Sequence, residues 1–226
     1  PTAQTITLQG RINADTVLRK ANTYILKGIV YLVGNHTMTI EAGTVIKGSF
    51  AGTDVAALVI TRGSKINAQG TATEPIVFTS ASPNPQSGDW GGLVLCGKAE
   101  INTSFNGIAG LFQVEGGIDN AHGDGLAGSG DAVATVPVND DNSGILSYVR
   151  IEYAGYAFQP DKEINSLTMA CVGSGTQIDH IQVTYAKDDA YEWFGGTVNA
   201  KFLIAYKTQD DDFDTDNGFS GKIQFG

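Results

Sequence analysis

Basic residues and long apolar runs are scarce in this sequence, and each scarcity excludes a class of protein. The 226 residues include 14 Lys and Arg against 24 Asp and Glu, which gives a formal net charge of −10. Nucleic-acid binding depends on clustered basic side chains, so this balance argues against it and permits cations and neutral or basic partners. No apolar run reaches the roughly 18 residues that a membrane-spanning helix needs, so no such helix is predicted.

Cysteine is also scarce. Cys96 and Cys171 lie in the apolar contexts LVLCG and TMACV, which favours two buried free thiols over a disulfide. The cysteines therefore do not define a compartment. The chain begins at Pro1 without a recognisable signal peptide, as expected of a processed or trimmed product.

Glycine, in contrast, is abundant. The chain has 29 glycines, while charged residues make up only 17%. This composition predicts many turns and few long helices. The length suits a single elongated β domain, covering residues 1–226, with a core of useful size.

An internal repeat runs through the C-terminal part of the chain. A shift of 21 puts Ile181 and Val183 over Phe202 and Ile204, and a second shift of the same size puts Phe202 over Ile223. We therefore expect Ile181, Phe202 and Ile223 to form one apolar column. Repeats of roughly 20 to 50 residues are typical of stacked units that cannot bury an apolar face alone.

The turn after each repeated strand matches with a shift of 22. The aligned pairs are Asp188 with Asp210, Asp189 with Asp211, Tyr191 with Phe213, Glu192 with Asp214 and Gly196 with Gly218. Upstream, TMTIEAGTVIKG matches LVITRGSKINAQG with a shift of 20, which aligns Ile40 with Ile60 and Ile46 with Ile66. The repeat is therefore expected to begin before residue 40.

Residues 103–144 interrupt the repeat. They are rich in glycine, and no Lys or Arg occurs between Lys98 and Arg150. A connection of this length without periodicity is usually functional or mobile. The repeat resumes with SYVRIEYAGY, which matches Val149 to Ile181 with a shift of 32 that contains another loop at 158–165.

These units alternate apolar and polar residues and then turn at glycine, which is typical of strands with one buried face. Coils of about 20 to 22 residues predict an all-β, right-handed parallel β-helix whose coils lie about 4.8 Å apart, with the hand set by parallel crossovers. Leucine-rich repeats are excluded because their spaced leucines and asparagine ladder are missing. A β-sandwich is the alternative fold.

Six passages carry a family resemblance: LKGIVYLVGNHTMTIEAGTVIKG, LVITRGSKINAQGTATEPIVFTS, DWGGLVLCGKA, DDNSGILSYVRIEYAGY, VGSGTQIDHIQVTYAKDDAYEWFGGTVNAKFLIAY and DDDFDTDNGFSGKIQFG. They resemble a family of secreted bacterial β-helix surface proteins, mostly described as hypothetical and often bearing a C-terminal sorting domain. The resemblance implies a secreted or cell-surface location. It also implies that this chain is an N-terminal fragment, since family members continue past KIQFG. It implies no reaction.

Acidic residues concentrate at the repeated turn. Carboxylates facing each other on adjacent coils would lie around 5 Å apart and repel, so we expect a hard cation such as Ca²⁺ to compensate. The predicted ligands are Asp188, Asp189, Glu192, Asp210, Asp211, Asp212, Asp214 and Asp216. An EF-hand is excluded, because Asn217 and Ile223 stand where its loop needs Gly and Glu. The alternative is a solvated turn whose acids cap backbone N–H groups.

Two further interpretations concern carbohydrates. A polysaccharide lyase or glycoside hydrolase would draw its acids from Asp188, Asp189, Asp211 and Asp212. Arg150 lies in RIE, where pectin hydrolases of similar fold carry RIK, which counts against an enzyme.

Aromatic residues at turns give the second interpretation. Trp90 and Trp193 lie beside paired glycines, where an exposed ring could contact a glycan; alternatively, both rings cover the ends of the apolar core. Tyr153, Tyr185 and Tyr206 recur in register, which predicts a stack at a corner.

Histidine offers no catalytic set. His180 follows Asp179 on a strand, and strand alternation predicts that the two side chains point to opposite faces. The leading interpretation is a non-catalytic extracellular or cell-surface module for adhesion, oligomer or filament assembly, or glycan contact, with Ca²⁺ as a stabiliser. A polysaccharide or a surface protein is the expected partner.

Overall fold

Short runs of alternating residues form the strands of this protein. TMTI at Thr37–Ile40 and VIKG at Val45–Gly48 each bury every second side chain completely and leave the others partly exposed. The computed structural model describes residues 2–159 and 162–226. Within these ranges it contains 22 strands, numbered β1 to β22 in chain order, and no α-helix.

The strands stack into three parallel faces. Face 1 contains β2 (Thr16–Leu18), β4 (Thr37–Ile40), β7 (Lys65–Gln69), the first parts of β14 (Gly144–Glu152), β18 (Gln177–Thr184) and β20 (Ala200–Tyr206), and β22 (Ile223–Gln224). Face 2 contains the first parts of β1 (Thr5–Ile12) and β3 (Thr23–Leu32), then β5 (Val45–Gly48), β8 (Ile76–Ser80) and the second parts of β14, β18 and β20. Face 3 contains the second parts of β1 and β3, then β6 (Ala57–Ile60), β9 (Leu93–Cys96), β17 (Leu167–Ala170), β19 (Tyr191–Phe194) and β21 (Phe213–Asp216).

This arrangement confirms the predicted parallel β-helix. The chain passes through the three faces in turn, so each coil pairs with the coils above and below it. Thr23 pairs with Val45, a shift of 22 that agrees with the repeat, whereas Thr37 pairs with Lys65, a shift of 28, because that coil has longer turns.

Apolar side chains from all three faces fill the interior. Phe78, Leu146, Tyr191 and Trp193 are among the fully buried members of this core cluster. Their burial removes a continuous apolar column from water, at about 25 cal/mol per Å² of apolar surface. The interior thus stabilises the whole stack and leaves chemistry to the turns and outer faces.

The predicted upstream register is wrong. Ile40 pairs with Ala68 on face 1, and Ile46 pairs with Phe78 on face 2, whereas Ile60 lies on face 3. The shift of 20 therefore compares strands on different faces of one coil. All three faces need the same alternation, so their sequences resemble one another without being stacked.

The predicted column of Ile181, Phe202 and Ile223 is also wrong. Ile181 pairs with Leu203, while Ile223 pairs with Ala200. The coils stack as expected, but these pairings correspond to shifts of 22 and 23. Phe202 itself has φ of 58°, which breaks the strand alternation at the corner between faces 1 and 2, and it is 39% exposed.

The register after the first insertion is confirmed. Val149 pairs with Ile181 and Ile151 with Val183. The expected stack at the following corner also forms, with the Tyr153 and Tyr185 rings 5.2 Å apart and nearly parallel. Tyr206 continues it edge-on, with its ring 6.2 Å from that of Tyr185.

The first insertion, residues 103–144, packs on the outer side of face 3. It contains two antiparallel pairs, formed by β10 (Ser104–Phe105) with β11 (Ile108–Ala109) and by β12 (Leu111–Gln113) with β13 (Leu126–Gly128). Its Val114 and Ile118 join a second apolar cluster with Val59 and Val94 of face 3. Both cysteines are free and buried in this cluster, as predicted.

In the described part of the chain, three ion pairs attach this insertion to the coils, one of which joins Lys98 Nζ to Asp141 Oδ1 at 3.1 Å. Arg62 Nη2 lies 2.6 Å from Asp131 Oδ2, and Arg11 Nε lies 2.7 Å from Asp124 Oδ2. Arg62 is buried and also donates to the carbonyl oxygen of Gly128. The insertion is therefore a fixed layer on face 3 rather than a loose loop.

A second insertion, residues 153–166, precedes β17. It includes the antiparallel pair β15 (Ala157–Gln159) and β16 (Lys162–Glu163). Residues 160 and 161 of the predicted 158–165 loop lie outside the described residues. The two insertions meet where Gly116 lies so close to Ile164 that a Cβ at Gly116 would come within 2.5 Å of Ile164 Cγ1. Together they form a layer over the outer side of face 3, from Tyr31 of β3 to Phe194 of β19.

Candidate functional site

The acidic residues lie where the chain turns from face 2 to face 3. Asp188 and Asp189 precede β19, and Asp210 occupies the same turn one coil later, before β21. Glu192 pairs with Asp214, and Tyr191 pairs with Phe213, so the predicted shift of 22 is confirmed here. The Asp211 N–H also donates to Asp189 Oδ1 at 2.9 Å, which holds the two turns in register.

Five of the predicted ligands come together in two groups. The outer group is Asp188, Asp189 and Asp210, and the inner group is Asp189, Glu192 and Asp214. In each group one carboxylate oxygen from every residue lies within 4.8 Å of the others. Asp189 belongs to both groups. We call these five residues the acidic corner.

The remaining three predicted ligands do not join either group. Asp211, Asp212 and Asp216 are exposed. Asp216 pairs with Phe194 at the far end of its strand, two residues beyond Asp214. Alternation with period two would allow both side chains on one side, but the extra rise along the strand separates them.

Burial and mutual repulsion raise the pKa of three carboxyl groups of the acidic corner. The pKa of Glu192 rises to about 9, first because of burial and then because of the nearby Asp189 and Asp214 carboxylates. The pKa of Asp189 rises to about 7 through burial, although the Asp211 N–H opposes the shift. The pKa of Asp188 rises to about 6, again through burial first and then repulsion from Glu163 and Asp210. The fold therefore disfavours full ionisation of these three carboxyl groups.

Neutral oxygen atoms surround the inner group. The Asn165 side-chain nitrogen donates to Glu192 Oε2, and Thr168 is the register partner of Glu192 on the preceding coil. Five buried side-chain atoms of the described residues have no hydrogen-bond partner: Asn165 Oδ1, Ser166 Oγ, Thr168 Oγ1, Trp193 Nε1 and Thr208 Oγ1. Buried polar atoms are nearly always paired, and Asn165 and Thr168 adjoin Glu192, so the inner group is the candidate position for a ligand.

The layer formed by the two insertions encloses this region. Asp189 and Glu192 are each only 7% exposed, although both are acids on the outside of the coil. Phe112 of the first insertion packs against Phe194, with ring centroids 4.8 Å apart. Glu192 therefore faces the underside of a layer that the chain itself supplies.

Both tryptophans contradict the predicted glycan contact. Trp90 and Trp193 are fully buried, and neither ring can face a sugar. Trp90 Nε1 donates to the carbonyl oxygen of Glu152 at 2.8 Å, and its ring packs over Gly48, where a Cβ would lie 2.8 Å from the indole. Trp193 packs against Tyr191 in the interior. Both rings are members of the interior apolar cluster.

The predicted separation of Asp179 and His180 is also wrong. His180 Nδ1 lies 2.7 Å from Asp179 Oδ1. His180 has a left-handed backbone with φ of 51°, which breaks the strand alternation at the corner between faces 1 and 2. Its ring lies between those of Tyr148 and Phe202, at 4.3 and 4.7 Å.

Phe225 continues this stack 4.9 Å beyond Phe202. All four residues of the stack have positive φ. We call Tyr148, His180, Phe202 and Phe225 the aromatic corner. A groove of about 420 Å³ runs along it and is also lined by Pro75 and Ile204.

Sequence reasoning missed Asn165 and Thr168. The signal was present in the alternation of LTMA, because Leu167 and Met169 align with Tyr191 and Trp193, which places Thr168 beside Glu192. The shift between these strands is 24, because the segment from Leu167 to Ile178 is two residues longer than the equivalent segment from Tyr191 to Ala200. A search for shifts of 21 or 22 could not find it.

The fold and the site together define a parallel β-helix protein with an enclosed acidic corner. The chain belongs to the family of pectate-lyase-like β-helix domains, whose model matches residues 10–226. Searches of curated proteins and of solved structures give no significant match. No helix in the described ranges has the length and apolar character needed to cross a bilayer.

Proposed function

We propose that this chain is a non-catalytic β-helix module of the cell surface or the secreted fraction. It presents a rigid surface for adhesion, oligomer or filament assembly, or glycan contact, and it binds Ca²⁺ at the acidic corner. The observation that carries the proposal is the enclosure of Asp189 and Glu192 under the two insertions.

Enclosure argues against polysaccharide cleavage. A glycosidase needs two carboxyl groups on either side of an accessible glycosidic bond, and those of a retaining enzyme lie about 5 Å apart. The inner group has a comparable spacing, but a sugar chain cannot reach Glu192 without displacing the insertions. The exposed Asp211 and Asp212 lie outside both carboxylate groups, and Asp189 is enclosed, so no two of the four acids expected of the alternative enzyme form an accessible pair.

Enclosure also supports a bound cation. Carboxylates that are held together away from water repel one another, and a buried charge is costly unless it is paired or coordinates a metal. Carboxylate, amide and hydroxyl oxygens are ligands suited to Ca²⁺. We therefore keep calcium as part of the proposed function.

The test is a cleavage and binding screen on neutral and acidic polysaccharides at saturating calcium. We expect no cleavage by the chain, and retention on a surface polysaccharide or a surface protein without any product. Asp189→Ala and Asp211→Ala are the matched variants. Cleavage that both substitutions abolish would establish the enzyme and overturn the proposal.

A further inference from the structure

We infer that the cation at the acidic corner lies in the inner group, and that Asn165 Oδ1 and Thr168 Oγ1 bind it together with Asp189, Glu192 and Asp214. This inference rests on the calcium binding proposed above and deepens it. It assigns two neutral ligands and one of the two carboxylate groups, and it ties the second insertion to the coil stack.

The inner group already has the right dimensions. Ligand oxygens lie about 2.3–2.6 Å from a calcium ion, so any two of them are at most about 5 Å apart. One oxygen each from Asp189, Glu192 and Asp214 lies within 4.8 Å of the other two. One ion can therefore contact all three residues.

Thr168 faces the same space as Glu192. Leu167 and Met169 belong to the interior cluster, so Thr168 between them points outward. Glu192 points outward for the same reason, and the two residues are direct register partners. Thr168 is 1% exposed, and its hydroxyl has no hydrogen-bond partner in the described structure.

Asn165 approaches from the second insertion. Its amide nitrogen donates to Glu192, which places the oxygen of the same planar amide at the edge of the carboxylate group. Asn165 is 4% exposed, and Oδ1 is unpartnered. Leaving such an atom unpaired costs about 1–3 kcal/mol, and coordination would remove that cost.

The outer group lacks this support. Asp210 is exposed, whereas Thr168 is the register partner of Glu192, which belongs to the inner group alone. Asp210 and Asp214 lie four residues apart on the same coil, one in each group. They form a natural pair of variants that separates the two positions.

The ligand set spans several parts of the chain. Asn165 ends the second insertion, Thr168 lies on β17, Glu192 on β19 and Asp214 on β21. An ion held by all of them would connect the insertion to three successive coils. Five protein oxygens also favour calcium over magnesium, which keeps several waters in a strict octahedron.

The experiment is calorimetric titration of the folded chain with calcium chloride, with magnesium chloride as a second probe. We expect Asp214→Asn to weaken calcium binding by about 100-fold and Thr168→Val and Asn165→Ala by about 10-fold each, one ligand being worth on the order of 1.4 kcal/mol. Asp210→Asn should change the affinity less than threefold, as should Thr79→Val, a matched change on the outside of face 2. Thr168→Val keeps the side-chain volume, so the variant should fold, which a melt in EGTA verifies.

The outcomes distinguish this inference from the broader proposal. Unchanged affinity in both Thr168→Val and Asn165→Ala, with loss in Asp214→Asn, overturns the neutral ligands. Loss in Asp210→Asn with normal binding in Asp214→Asn overturns the inner position. A wild-type chain that binds no calcium overturns this inference and the calcium clause, while the polysaccharide screen still decides the non-catalytic module. Slower hydrogen exchange across residues 163–170 on adding calcium is expected only if the ion ties the insertion down.

Discussion

At two corners of the same coils, residues of one kind stack on one another, and the energetic consequences at the two corners are opposite. At the aromatic corner, neighbouring rings lie 4.3, 4.7 and 4.9 Å apart, with interplanar angles of 12, 27 and 12°. At the acidic corner, carboxylate oxygens come within 4.8 Å of one another. In both places the strand separation of about 4.8 Å brings residues of adjacent coils together.

The difference lies in what the side chains do at that distance. Stacked rings attract, at about 0.5–1.5 kcal/mol for each pair. Carboxylates repel, and burial makes their charge more costly. A β-helix imposes the same stacking on both corners. Acids that repeat on successive coils need a proton or a cation to offset their repulsion, whereas rings that repeat need only a backbone turn that brings them together.

The largest expected effect on the stability of the fold comes from removing protons from the acidic corner in the absence of calcium. Carboxyl groups with a raised folded pKa bind more protons when folded than when unfolded, so stability is greatest at low pH and falls as pH rises from about 4.5 toward the folded value. With the pKa of Glu192 raised to about 9 by burial, thermal unfolding in EGTA should start from a clearly lower Tm at pH 9 than at pH 5. If about half of the shift is realised, the loss is roughly 3 kcal/mol, or about 6–12 °C.

Calcium should reverse this trend, because protons and the cation compete for the same oxygens. Scanning calorimetry in EGTA and in excess calcium at both pH values makes the comparison. Equal Tm values at pH 5 and pH 9 in EGTA would mean that the corner is solvated and carries no uncompensated charge.

A somewhat smaller effect is expected when Glu192 alone is neutralised. Glu192→Gln keeps the shape and removes one of the three charges of the inner group. We expect the variant to be more stable than the wild type at pH 9 in EGTA by about 1–3 kcal/mol, as found when buried ionic groups are replaced. It should equal the wild type at pH 5 and lose its response to calcium. A variant that is destabilised at pH 9 would show that Glu192 is already compensated.

The acidic corner could be predicted from the sequence because its turn carries several landmarks. The turn repeats an acid pair, an aromatic residue, another acid and a glycine together, so few shifts other than 22 align all of them. The pairing of Tyr191 with Phe213 confirms this shift. The adjoining strand has no such landmarks. IQVTY and FLIAY match best at a shift of 21, but Ile181 pairs with Leu203.

The enclosure of the acids could not be predicted in the same way. It depends on two insertions that lack periodicity and on long-range contacts, such as Val114 with the outer side of face 3. The burial of Trp90 depends likewise on space left by Gly48, which is distant from it in the chain. Local pattern fixes which residues turn and which point inward, whereas what covers an outer face depends on the insertions.

At the aromatic corner the expected effect is smaller and independent of calcium. His180→Ala removes the ring that lies between Tyr148 and Phe202, and so removes two stacked contacts. The cost should be about 2 kcal/mol by chemical denaturation, with or without EGTA. His122→Ala is the matched control, since His122 is exposed, and it should cost almost nothing. A calcium-dependent cost at His180 would mean that the two corners are coupled.

The smallest expected effect on stability distinguishes the contribution of the His180 ring from that of the His180 backbone. His180 has φ of 51°, a conformation that costs a residue with a Cβ about 1 kcal/mol and costs glycine little. His180→Gly should therefore be more stable than His180→Ala by about 1 kcal/mol, although both lose the same stack. Two positions along, in the extended part of β18, Gln182→Gly should be less stable than Gln182→Ala by about 0.5–1 kcal/mol. Urea denaturation of the four variants gives the sign of the Gly-to-Ala difference at each position, and the same sign at both positions would show that the backbone at His180 is not strained.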